Sequence, residues 1–463
     1  MNKNDIYTAE ITDLTNIGSG VCRIDGRVVF VPFTAIGDKC KIKILKVKDS
    51  YAYGKIEEIL TPSPDRISQD CPSFGKCGGC SFRHITYEAE LAAKERFIKD
   101  AFTRAANLTP DFLPIIKNDQ ITRYRNKAQY PLGRDKDGQA ICGFYAGNSH
   151  RIVPCADCLL QPEIFSEITD FILRFIRMGK LSIYNEQENK GVLRHICLRK
   201  GHHSGEIIVT VVARRNIPEL KKLSKDLMAK FPSIKGVVLN LNKKDTNVIM
   251  GEEEQSLAGA PTIQDAMCGN TVTISPKSFY QVNTPMAERL YAVAKDFAQP
   301  ENKTVADIYC GIGTIGLSMA REAKKLIGVE IVESAIQNAA LNAVQNNITN
   351  AEFHCSDADN AAEIIAKAGI TPDVVILDPA RKGCQKSVLQ SLAALNPERI
   401  VMISCNPATA ARDCAELETL GYKTVKVQGV DLFSRTYHVE CVSLIIKDTE
   451  NLSIKAQEQD YEY

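Results

Sequence analysis

No stretch of about 18 consecutive apolar residues occurs in the 463-residue chain, which excludes a membrane-spanning helix. The opening Met-Asn-Lys-Asn-Asp carries no apolar run of the secretory type, so a cytoplasmic protein is expected. Charge of one sign is missing as well: 57 Lys and Arg stand against 56 Asp and Glu, a net of +1. That balance does not advertise nucleic-acid binding, so any such contact must come from local basic patches. No internal repeat is present. Cysteine, by contrast, is plentiful at sixteen residues. In a reducing compartment disulfides are not expected. Most of these thiols should be small buried hydrophobes, and only those with telling spacing or context merit a functional reading.

The length calls for two or three domains, and 44% hydrophobic with 24% charged residues suits real cores. Residues 1–60 read as a small Greek-key β-barrel of the OB type. Short alternating runs such as Val28-Val29-Phe30-Val31 are punctuated by Gly18-Ser19-Gly20, Asp25-Gly26 and Gly37-Asp38. Lys41, Lys43, Lys46, Lys48 and Lys55, with Tyr51 and Tyr53, lie on its wet side. Thr61-Pro62-Ser63-Pro64 is a linker, and residues 61–280 mix helices and strands, beginning with a helix over 87–107. Residues 281–463 alternate strand and helix as an α/β doubly wound sheet does. Strands are expected at 304–308, 325–329, 352–355, 374–377, 400–404, 423–428 and 438–446, the last two an antiparallel pair closing the sheet. The polar tail 448–463 is expected to fray.

Two places in that third unit carry chemistry. The first strand runs into Tyr309-Cys310-Gly311-Ile312-Gly313-Thr314-Ile315-Gly316 and then a helix. Gly311 permits the tight turn and Gly313 a close backbone approach to a ligand, while Glu330, about twenty residues on, is placed to accept ribose hydroxyls. A dinucleotide or S-adenosylmethionine would suit this turn. Acids at later strand ends, Asp357 and Asp378, favour the sulfonium cofactor, with a nicotinamide oxidoreductase as the rival. The second place is Ser404-Cys405-Asn406-Pro407, which follows the fifth strand at the carboxyl edge where ligands bind in such sheets. A thiolate there can add to carbon 6 of uracil and make carbon 5 nucleophilic. Glu440 on the last strand is the candidate base for the carbon 5 proton, with His438 as runner-up. Asp378-Pro379-Ala380-Arg381 at the neighbouring strand end could hydrogen-bond a base edge.

Together with Phe279-Tyr280-Gln281-Val282-Asn283 and His438-Val439-Glu440, these motifs resemble the RNA uridine-5-methyltransferase family over nearly the whole chain. The resemblance implies an S-adenosylmethionine-dependent fold with Cys405 as nucleophile and Glu440 as base. It implies cofactor contacts from Gln281, Tyr309, Glu330 and Asp378, with Asp357 less securely placed. Ala380 departs from relatives that have a second proline. Residues 1–58 resemble a TRAM domain, an RNA-binding barrel, and Arg123-Tyr124-Arg125-Asn126-Lys127-Ala128-Gln129-Tyr130 adds basic and aromatic residues suited to phosphates and unpaired bases.

Cys71, Cys77, Cys80 and the later Cys155-Ala156-Asp157-Cys158 could hold zinc or a 4Fe–4S cluster on chemistry alone. The resemblance implies the 4Fe–4S cluster, held by Cys71, Cys77, Cys80 and Cys158, in an α+β iron–sulfur central domain. A radical mechanism lacks its Cys-x3-Cys-x2-Cys triplet. Barrel and cluster together imply 23S rRNA as the partner, with tRNA, or a non-catalytic role in ribosome assembly, as alternatives. A monomer is expected.

Overall fold

Segments that read as unbroken apolar runs, such as Val374–Leu377, become the middle of an eight-stranded sheet because both of its faces are covered. Across that sheet lie Ala351–Cys355, Lys325–Glu330, Thr304–Ile308, Val374–Leu377, Arg399–Ser404, Glu440–Lys447, Tyr422–Val430 and Asp111–Ile116. The first five are parallel, and Glu440–Lys447 is antiparallel to both its neighbours. Val305, Ile376 and Val401 bury on one face against helix Thr284–Ala298. Ile308, Leu377 and Met402 bury on the other, against helices Tyr87–Asp100 and Pro407–Thr419. The chain steps outward from Thr304–Ile308 and then returns to its opposite flank at Val374–Leu377. That reversal opens a crevice at the carboxyl ends of the strands. The structure, a computed structural model, describes residues 1–367 and 369–448. Beyond Asp448, the tail expected to fray lies outside the described residues.

The antiparallel pair expected to close the sheet does not close it. Asp111–Ile116 adds a parallel strand outside Tyr422–Val430. This strand and helix Tyr87–Asp100, expected within a central unit of residues 61–280, are built into the large sheet instead. Most of the remainder of that unit forms a seven-stranded sheet from Ile152–Pro154 at one edge to Glu253–Gly259 at the other, while the hairpin Ile263–Met267 and Asn270–Ile274 packs into the core of the large sheet. Helices Glu163–Met178 and Pro218–Lys230 cover one face with Phe165, Ile168, Ile172, Leu220 and Leu227. The N-terminal barrel has six strands between Ile6 and Thr61 around Cys22, Val29, Val31, Ile42, Ile44 and Ala52. Lys41 and Lys43 stand outward because Ile42 and Ile44 alternate inward, and Lys41 pairs with Glu58 at 2.7 Å. Among the described residues no helix is long and apolar enough to cross a membrane.

A buried ionic network joins the first long helix to the loop that leads into the last strand. Lys94, fully buried, donates to Glu90 at 2.7 Å and to Asp431 at 2.6 Å. Tyr87 and Ser434 hydroxyls donate to the other oxygen of Asp431, both at 2.6 Å, and the Arg435 N–H donates to Glu90 at 2.7 Å. Removing one member leaves the carboxylates buried without their counter-charge. Lys94→Met should therefore lower stability by about 3–5 kcal/mol, read by urea denaturation.

Candidate active site

Register brings the site together. The antiparallel pairing of Arg399–Ser404 with Glu440–Lys447 ends with Ser404 opposite Cys441, so the next positions, Cys405 and Glu440, face each other. Ile308 pairs with Leu377, which places Tyr309 and Asp378 at the same carboxyl edge. Beyond Cys405 the strand stops because Asn406 caps a helix: its side chain accepts the Ala408 N–H at 3.2 Å, and Pro407 occupies the first turn. Asn406 Nδ2 also donates to the Arg381 carbonyl at 3.2 Å, tying the two strand ends together.

The titratable groups perturb one another. Burial, then the Asp378 charge, pushes Glu440 up to about 8, while Arg381 opposes the rise. Glu440 is only 4% exposed. Asp378 is raised to about 7 by burial. Burial raises the Cys405 thiol too, followed by the Glu440 charge, with the Arg381 guanidinium working in the opposite direction. Cys405 itself is half-buried, open enough to meet a substrate. His438 is driven down to about 4, first by burial and then by Arg381 and other cations. Its Nε2 lies 3.3 Å from Arg381 Nη2, so the lone pair a base would use already faces a donor.

The glycine turn sits at the reversal point of the sheet. Gly311 and Gly313 take positive φ values of 55° and 82°, as expected for a turn that doubles back under a ligand. Glu330 does not stand free: its two oxygens accept the Gly311 N–H at 3.2 Å and the Val332 N–H at 3.0 Å. Asp307, missed in the sequence because it lies inside a strand, is fully buried behind the turn. Its Oδ2 accepts the Gly316 N–H at 2.8 Å, its Oδ1 has no hydrogen-bond partner among the described residues, and burial lifts it to about 7. Tyr291, which touches Gln281, lies 3.2 Å from Thr314 on this turn and feels the charge of Asp378. Asp357 is exposed at the edge strand, where it caps a short turn at the Asp359 N–H. An orphaned carboxylate oxygen beside a turn of backbone N–H groups fits a cofactor with a cationic centre and an adenosine. A Cβ at Gly316 would meet Asp307 Oδ2 and Leu326 Cδ1, each at 2.8 Å. Gly316→Ala should cost about 1–3 kcal/mol by overpacking and weaken cofactor affinity, read by denaturation and by calorimetric titration.

Five cysteines of the central segment, at 71, 77, 80, 155 and 158, gather in one place. Burial pushes the Cys80 thiol up to about 12, and Cys158 and Cys77 add to the rise. Cys155 hydrogen-bonds Cys158, which lowers Cys158 and raises Cys155, while the Gly79 N–H donates to the Cys77 sulfur at 3.3 Å. Among the described residues, no three His, Cys, Asp or Glu side chains converge to hold a metal ion. The expected ligand set of Cys71, Cys77, Cys80 and Cys158 therefore stays a proposal, with Cys155 beside Cys158 in the same group of thiols.

The basic stretch from Arg123 to Tyr130 needs correction as well. Arg123 makes two 2.6 Å bonds to Asp157, the Tyr124 hydroxyl donates to the Ser434 carbonyl, and Tyr130 is buried in the central core. Alternation along strand Lys127–Arg134 turns Tyr130 inward. One member of the stretch, Lys127, instead joins a second cation across the sheet. Arg199, 3% exposed, has no hydrogen-bond partner on any guanidinium nitrogen among the described residues, and burial lowers it to about 10. Lys127 pairs with it across the sheet and is lowered to about 8, first by burial and then by Arg199. The signal was present as His195-x-Cys197-x-Arg199 alternating within a strand of otherwise apolar residues.

Comparison with known proteins fits this geometry. The family model for tRNA (uracil-5-)-methyltransferase matches residues 86–448, and the TRAM domain model matches residues 2–56. A Bacillus cereus protein described as an uncharacterized RNA methyltransferase is 40% identical over 96% of this chain and 97% of its own. A Streptococcus mutans protein of the same description is 40% identical over 96% of this chain and 100% of its own. The solved Pyrococcus abyssi tRNA (uracil-54, C5)-methyltransferase, in complex with S-adenosyl-L-homocysteine, superposes with a TM-score of 0.76 at 25% identity. It covers 95% of this chain and 100% of that one.

Proposed function

This chain belongs to the tRNA (uracil-5-)-methyltransferase family and carries an N-terminal TRAM domain, and from that premise we propose that it forms 5-methyluridine in 23S rRNA through a covalent adduct on Cys405. It is an S-adenosylmethionine-dependent RNA methyltransferase. The observation that carries the mechanistic reading is the register that sets Cys405 against Glu440, with Asp378 at the same strand edge.

Gln281, Tyr309, Glu330 and Asp378, with the backbone at Gly311 and Gly313, would hold S-adenosylmethionine, and Asp357 would lie at the rim. Bound there, S-adenosylmethionine supplies an electrophilic methyl group on a sulfonium centre. The Cys405 sulfur adds to carbon 6 of a uracil turned out of its stack. The electron pair of the carbon 5–carbon 6 double bond moves to carbon 5, which takes the methyl group as the methyl–sulfur bond breaks. Glu440 then removes the carbon 5 proton. The electrons of that carbon–hydrogen bond restore the double bond, and Cys405 leaves as thiolate. Arg199, buried without an acceptor among the described residues, and the half-buried Lys127 beside it are suited to an RNA phosphate.

A tRNA substrate is the second reading. It is favoured by the full-length superposition on a protein that acts on tRNA uracil-54, which weakens the link between barrel and ribosomal RNA. Labelled cofactor offered with unmodified 23S rRNA and with unmodified tRNA separates the two. Methyl transfer to tRNA alone would overturn the rRNA assignment and leave the chemistry standing. The 4Fe–4S cluster on Cys71, Cys77, Cys80 and Cys158 is proposed on the gathering of the thiols alone, and no step runs through it. Its test is iron and sulfide content after anaerobic purification; a colourless protein containing zinc would overturn it.

A further inference from the structure

The Cys405 side of the site opens into a cavity of 270 Å³ whose walls come from two domains. One wall holds Arg381, Cys405 and Asn406, and Tyr437 and His438 line it from the loop before the last strand. The lining also includes Asn16 and Ile17, which belong to the turn between the second and third strands of the N-terminal barrel. Both are exposed, Ile17 at 60%, and Asn16 makes no side-chain hydrogen bond among the described residues. An apolar side chain and a free amide at the rim of a nucleophile's pocket have no evident purpose in the fold. From this we infer that the barrel turn is part of the substrate pocket: Ile17 packs on the turned-out nucleotide of the RNA, and Asn16 hydrogen-bonds it.

Several independent contacts hold the turn rigidly at that distance. Asp13 pairs with Arg96 at 2.6 Å, and Leu14 is buried with Phe82, Ile85 and Phe97, against which Tyr437 packs. Gly18, with φ of 77°, lies so close to Phe82 that a Cβ would stand 3.2 Å from the ring. The Phe82 and Ser81 N–H groups in turn donate to the Arg435 carbonyl at 3.1 and 2.9 Å. The barrel turn, Phe82 and the loop carrying Tyr437 and His438 are thus packed and hydrogen-bonded together. A barrel acting only as an RNA tether would not need this fixed seat beside the nucleophile. The cavity volume, near the lower end of about 300 Å³ for small-ligand pockets, suits one base or ribose rather than a dinucleotide.

This inference rests on the RNA-methylation reading, and the experiment keeps the two apart. Initial rates are measured for the full-length parent, Asn16→Ala, Ile17→Ala and Ile17→Val, with unmodified 23S rRNA or tRNA and labelled cofactor. Loss of one pocket contact should raise the RNA KM about tenfold in Asn16→Ala and Ile17→Ala. The value of kcat should stay within about twofold, the cofactor KM should not change, and Ile17→Val should recover most of the affinity. An active parent whose two alanine variants keep the parental RNA KM would overturn the pocket role alone. A parent that methylates neither RNA would overturn both readings.

Discussion

Cys405→Ala is expected to lower methyl transfer by about 10⁴-fold or more and to abolish any covalent RNA complex, while cofactor affinity stays near that of the parent. The size follows from the chemistry. Carbon 5 of uracil does not attack a methyl group until something adds at carbon 6, and the strand register offers Cys405 for that addition. Cofactor binding should survive because the glycine turn, Asp307 and Glu330 belong to strands two and three away in the sheet and, among the described residues, make no hydrogen bond to Cys405. Isothermal titration with S-adenosylhomocysteine, beside a single-turnover assay with labelled cofactor, separates the two properties. Parental turnover in this variant would remove covalent catalysis from the account.

Glu440→Gln has a different expected signature. Methyl transfer to carbon 5 precedes the step that Glu440 serves, so the variant should complete one transfer and then accumulate the adduct. Steady-state kcat should fall by about 10²–10⁴-fold, the usual span for a lost general base. Turnover of the parent should also rise with pH toward and through about 8, because only the ionised Glu440 accepts a proton. Stability runs the other way. The folded-state value lies above the ordinary 4.5, so the native state holds the additional proton. The associated stability is fully present below about 4.5 and is lost as pH rises toward about 8. Glu440→Gln should lack that loss, which urea titrations of both proteins at pH 5 and about pH 8 would reveal. A variant that turned over normally would shift the base role to His438 or to water, although His438 already faces Arg381.

The large sheet was legible because its parallel strands are buried on both faces and read as short apolar runs before turn residues. Val374–Leu377 and Arg399–Ser404 follow that pattern, and the strand ends carrying Asp378 and Cys405 came with them. The strand Asp111–Ile116 did not. It contains Pro114, and its partner lies some three hundred residues away at Tyr422–Val430, a pairing that no local pattern encodes. The basic stretch at Arg123 suggested a wet RNA surface, yet Asp157 neutralises its first arginine and the pleat turns Tyr130 inward. Asp307 lies inside an apolar strand with no spacing signal of its own; only the fold shows its oxygen beneath the glycine turn. Asn16 and Ile17 had no reading at all, since their meaning depends on a domain contact across hundreds of residues.

The central claim is that one particular thiol among sixteen carries the RNA during catalysis. It is tested most directly by mass spectrometry of the Glu440→Gln variant after incubation with cofactor and unmodified RNA, followed by nuclease and protease digestion. A single modified peptide bearing a methylated uridine on Cys405 is the expected result. An adduct on another cysteine, or methylated RNA released with no adduct in this variant, would contradict it.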